Sequence, residues 1–125
     1  MDIGDPAQIA KLPAADLVYL VAAIPSFVHC EADPRGTWRV NADAPVALAR
    51  YYRSAFVVFV SSDAVEFCGK TEYGRQKAYV ESILLAWDHV AVVRPTRISR
   101  EVAPKVADYM LGVAMNRRPG LYRWS

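Results

Sequence analysis

A chain of 125 residues, 54% apolar and 22% charged, carries enough apolar material for one buried core and too little polarity to read as disordered. With 15 Lys and Arg against 13 Asp and Glu, the net charge of +2 gives no argument for tight nucleic-acid binding through charge alone. Cys30 and Cys68 lie outside any C-x-x-C pattern, which argues against a disulfide framework and predicts reduced thiols in a cytoplasmic protein; no apolar run approaches the roughly 20 residues of a membrane span.

Residues 1–15 carry Pro6 and Pro13 around a short Ala-Gln-Ile-Ala-Lys run, and predict a loosely packed leader to a single domain that spans 1–125. The run VYLVAAIPSF at 18–27 predicts a buried strand over about 16–22, with Pro25 holding Ile24 extended. Residues 27–40 mix His29, Cys30, Asp33-Pro34 and Gly36, a composition of loop and turn. A helix is predicted over 44–54, with Asp43 or Asn41 capping and Pro45 in the first turn. The unbroken run AFVVFV at 55–60 then has the pattern of a strand covered on both faces.

Ser62 or Asp63 caps a short helix closed by Gly69, and a longer helix over about 73–87 turns Tyr79, Val80, Ile83, Leu84 and Trp87 to one side. A third strand is predicted at 90–93, followed by a helix capped by Ser99 that carries Val102, Val106, Tyr109, Met110 and Val113. Residues 116–125 read as a basic tail. Strands alternating with helices predict an α/β domain with a mostly parallel central sheet.

Asp63 reads as a helix cap, and Tyr51, Tyr52, Trp87 and Tyr109 as core. His29, Cys30, Cys68 and His89 match no zinc-ligand spacing. Arg117, Arg118 and Arg123, interleaved with Tyr122 and Trp124, suit stacking on single-stranded RNA, although a terminus of this kind is more often solvated or folded back.

The run at 18–27 resembles the opening VYLDTSIPSF of one branch of the PIN-domain family, and residues 55–61 followed by DAVEF at 63–67 resemble that family's second strand and the helix after it. The likeness continues in order to Met115 and implies a PIN-like three-layer α/β domain with its carboxyl-terminal part missing. It also implies a relative of VapC toxins, which are Mg²⁺- or Mn²⁺-dependent endoribonucleases of toxin-antitoxin pairs. Glu66 matches the family's second acidic position and is thus the one residue to which the resemblance assigns a catalytic and metal-binding role.

Val21 stands where the family has its first aspartate, with Ala22-Ala23 in place of Thr-Ser, and the later acidic motif has no counterpart. The implied toxin relative therefore has impaired or absent cleavage. The competing expectation is a non-catalytic protein-interaction module or homodimeric scaffold. The partners expected are an antitoxin-like protein, RNA and a second copy of the chain, with no membrane.

Overall fold

The computed structural model describes residues 3, 5–21, 23–67, 70–96 and 100–124. Ala22, Cys68, Gly69 and Ser99, to which the sequence assigned a motif position, a thiol, a helix stop and a cap, lie outside the described residues. Four strands, β1 (Leu17–Leu20), β2 (Phe56–Val60), β3 (Val90–Pro95) and β4 (Gly120–Trp124), form one sheet in the order β1-β2-β3-β4. Every pairing is parallel, with Tyr19 opposite Val58, Val58 opposite Ala91 and Val93 opposite Tyr122.

Alternation along β2 and β3 divides the core. Val57, Phe59, Val90 and Val92 point to one face, against Leu48 and Ala49 of α4 (Ala44–Tyr51), Tyr52 just after it, and Val80 and Leu84 of α6 (Glu72–Leu84). Phe56, Val58, Ala91 and Val93 point to the other, against Val113 and Ala114 of α7 (Ala103–Asn116). The result is a three-layer α/β arrangement, and the continuous apolar run at 55–60 follows from it because both faces of β2 are covered. Each fully buried valine or phenylalanine contributes roughly 1.5–3 kcal/mol. Among the described residues no helix is long and apolar enough to cross a membrane.

Three segments differ from the sequence reading. Residues 27–40, read as loop, fold as α2 (Phe27–Ala32), α3 (Pro34–Trp38) and the start of a π-helical turn, Arg39–Asp43, that runs directly into α4. Caps make these short helices possible: the Ser26 hydroxyl accepts from the His29 N–H, and the Asp33 carboxylate from the Gly36 N–H. Residues 120–124, read as tail, are the edge strand β4, reached through Arg117 in a left-handed conformation (φ 51°) and Gly120 at φ 126°. In the expected leader, Ile9 of α1 (Pro6–Ile9) is buried in the main core, and the Tyr51 and Tyr52 hydroxyls donate to the carbonyls of Leu12 and Pro13.

Candidate active site

The carboxyl ends of parallel strands are where an open α/β sheet offers a ligand both exposed backbone and helix beginnings. At that end of β2 the chain turns through Ser61, Ser62 and Asp63 into α5 (Ala64–Phe67), and the Ser62 hydroxyl accepts from the Ala64 N–H at 3.0 Å. α6 begins beside this turn, capped by Thr71, whose hydroxyl accepts from the Gly74 N–H. Its first turn brings Tyr73 inward at 8% exposure and its second brings Lys77 inward at 3%.

The Lys77 ammonium donates to the Val60 carbonyl at 3.3 Å and stands 4.9 Å from the centre of the Phe59 ring and 5.8 Å from that of Tyr73. Burial strips water from this ammonium and brings its pKa down to about 8, with the Glu81 carboxylate and the Cys30 thiol pulling the other way. Burial likewise pushes the Tyr73 phenol above its ordinary value, opposed by a side-chain hydrogen bond with Ser62. A neutral phenol close to a serine hydroxyl and an ammonium with a lowered pKa are groups that can hand a proton to a bound carbonyl oxygen.

A fully buried amide network supports the site from below. Asn41, in the π-helical turn, accepts from the Ile24 N–H at 2.7 Å and donates to the Ile24 carbonyl at 2.9 Å and to Gln76 Oε1 at 2.8 Å; Gln76 donates to the Thr37 hydroxyl at 2.9 Å. These bonds tie the loop after β1 to α6, and the Phe27 ring completes the contact edge-on to Tyr73 at 5.3 Å. The polar composition that made residues 27–40 look like loop serves this interior.

Glu66, assigned a metal by resemblance, accepts instead from Arg94 Nη1 at 3.0 Å and from Arg123 Nε at 2.6 Å, which lowers its pKa, the Arg123 hydrogen bond foremost. Among the described residues no group of three or more His, Cys, Asp or Glu could hold a metal ion. Val21 follows β1 at 60% exposure. The His89 ring bonds the Ala49 carbonyl and stacks on Trp87, whereas Cys30 is a free thiol beneath Ile24 and Gln76. In the basic segment, Arg117 donates to the Asp16 carbonyl, Tyr122 to the Arg118 carbonyl, and Arg123 is held by Glu66.

The sequence reading passed over Tyr73 and Lys77 because it sought an apolar stripe on α6. The signal was the spacing Tyr73-Gly-Arg-Gln-Lys77, one helical turn between phenol and ammonium, after the Ser61-Ser62-Asp63 turn that ends β2.

No protein-family model and no curated protein matches the chain. Solved structures do match. A hypothetical dTDP-4-dehydrorhamnose reductase from Sulfolobus tokodaii superposes with a TM-score of 0.83 at 20% identity, over 98% of this chain and 61% of that one. A dTDP-4-dehydrorhamnose reductase from Clostridium acetobutylicum gives 0.82 at 19% identity, over 100% and 62%. The Bacillus anthracis enzyme, in complex with NADP, gives 0.81 at 15% identity, also over 100% and 62%. The chain thus spans less than two thirds of the length of these structures, and at such identities the likeness shows the fold, which is Rossmann-like.

This corrects the PIN-domain resemblance and, with it, the expected VapC-type ribonuclease. The expected Mg²⁺ or Mn²⁺ is corrected too, since several similar structures are complexes with NADP, NADPH or NAD+. The motif failed for a physical reason: a short apolar strand running into a Pro-Ser turn is compatible with many covered parallel strands, and the aspartate that gives a PIN opening strand its identity is Val21 here. The grounds for expecting an antitoxin go with the resemblance.

Proposed function

We propose that this chain carries the proton-donating part of a nicotinamide-dependent carbonyl reductase that acts on a sugar nucleotide of the dTDP-4-dehydrorhamnose kind. The observation that carries this reading is the convergence of Ser62, Tyr73 and Lys77 at the carboxyl end of β2, in a fold shared with reductases of that name.

The residues present fit the reactive end of such a cofactor. An ammonium has three N–H donors, and among the described residues Lys77 meets one acceptor, so donors remain for the hydroxyls of a ribose. A dinucleotide's pyrophosphate is ordinarily cradled by a G-x-G-x-x-G turn, and the glycines of these 125 residues have no such spacing. When bound, the reduced nicotinamide supplies a hydride to the keto carbon of the sugar.

This chain's side chains then manage the oxygen. Ser62 donates a hydrogen bond to the carbonyl oxygen and fixes its place beside the phenol. Tyr73 gives its proton to that oxygen as the C=O electron pair moves onto it. Lys77, in a site of low polarity, stabilises the phenolate left behind, and electrostatic support of this kind is worth most where water is excluded. The buried reduced thiol of Cys30 suits a cytoplasmic setting.

The test is isotope transfer. The protein is incubated with a reduced nicotinamide cofactor deuterated at its reactive carbon and with dTDP-4-dehydrorhamnose, and the sugar product is read by NMR. Deuterium at carbon 4 of the sugar is expected. Cofactor oxidation without label in the sugar, or no transfer at all, overturns the proposal.

A further inference from the structure

The inward face of α6 repeats a titratable side chain every fourth residue: Tyr73, Lys77, Glu81. Glu81 is buried at 3% exposure, one turn from Lys77, and so is the natural ion-pair partner for its ammonium. Its carboxylate is filled from another direction. Arg94 on β3 donates from Nε to both oxygens, at 3.0 and 2.9 Å, and from Nη2 to Oε1 at 2.5 Å, while the Ser61 hydroxyl donates to Oε2.

Arg94 is held in turn. Its Nη1 donates to Glu66 on α5 at 3.0 Å, and Glu66 is gripped by Arg123 on β4 at 2.6 Å. Charges therefore alternate from the end of β2 across the sheet to its far edge. A buried carboxylate without Arg94 would draw the nearest buried cation into an ion pair, because attraction at low polarity far exceeds that in water.

We propose that Arg94 is a positioning residue for the proton-donating site: by saturating Glu81 it leaves Lys77 beside Tyr73 and the Val60 carbonyl, and Glu66 and Arg123 keep Arg94 in that role. This rests on reading Tyr73 and Lys77 as the proton-donating pair. The groups that face the Lys77 ammonium are Glu81 and Tyr73 from its own helix, the Cys30 thiol from α2, and the Phe59 ring and Val60 carbonyl from β2. Of these, Glu81 is the one whose occupancy Arg94 controls.

The experiment is an NMR titration of the Lys77 side chain in the full chain, with its resonance identified by loss in Lys77→Met. In Arg94→Gln the freed Glu81 pairs with Lys77, and the titration midpoint rises by about one unit or more toward that of an ordinary lysine. Arg123→Ala removes an exposed side chain and loosens the hold on Arg94, so it shifts the midpoint in the same direction by less. Should Arg94→Gln fail to fold, Arg123→Ala decides. A midpoint that stays at its wild-type value in the folded variants overturns the proposal, whereas a purely structural ion pair would lower thermal stability and leave that midpoint in place. Because the readout needs no turnover, failure of the reductase reading is seen separately, in the isotope experiment.

Discussion

Tyr73 and Lys77 occupy successive turns of the buried face of α6, with the ammonium 5.8 Å from the centre of the phenol ring and bonded to the last carbonyl of β2. A folded chain keeps a lysine there only at a cost, because the ammonium has given up most of its water for one carbonyl and two aromatic faces. A methionine would fill the same volume without that cost.

The cost has a pH signature. The Lys77 ammonium titrates at about 8 in the fold, against 10.5 for an ordinary lysine, so between those values the unfolded chain binds more protons and stability rises with pH. The penalty is fully present below pH 8 and is relieved as the pH climbs toward 10.5. The unfolding free energy of the wild type relative to Lys77→Met is therefore expected to rise by roughly 3 kcal/mol across that window in denaturant titrations. A flat difference would contradict a buried, weakly solvated ammonium.

Much of this architecture was legible in the chain. The run at 55–60 announced a strand covered on both faces, the run at 90–93 another strand, and the apolar spacing read over 44–54 and 73–87 the helices that the structure ends at 44–51 and 72–84, although Asp43 makes no capping bond. What stayed hidden depended on partners distant in sequence. Thr37 looks like a loop residue and Asn41 like a helix cap until Gln76 is seen to satisfy them, and Gly120 to Trp124 looks like a tail until β3 is there to pair with it. The site was missed for the same reason. Tyr73 and Lys77 differ from surface residues only in where α6 points them, whereas Glu66 drew notice by matching a motif and proves to be bound by two arginines.

The amide network makes a second prediction. Asn41→Ala removes four hydrogen bonds and leaves the N–H and carbonyl of Ile24, the Cys30 sulfur and the side-chain oxygen of Gln76 without that partner. Orphaning buried polar groups costs about 1–3 kcal/mol each where water cannot reach, so a loss of roughly 3 kcal/mol or more is expected by chemical denaturation. A loss below about 1 kcal/mol would mean that the loop after β1 is held by something else.

A third concerns metal. With Glu66 gripped by Arg94 and Arg123, Mg²⁺ or Mn²⁺ finds no carboxylate cluster among the described residues, and thermal melting is expected to be the same in either ion as in a chelator. Stabilisation by Mn²⁺ that disappears in Glu66→Gln would count against this arrangement.

The most direct trial of the proton-donating site is a comparison of reduction rates for the wild type and Tyr73→Phe, with the reduced nicotinamide cofactor and dTDP-4-dehydrorhamnose both saturating. Removing one hydroxyl leaves the buried ring and its contact with Phe27 in place, so the fold should survive while turnover falls by about 10²- to 10⁴-fold. Turnover in Tyr73→Phe equal to that of the wild type would contradict the account.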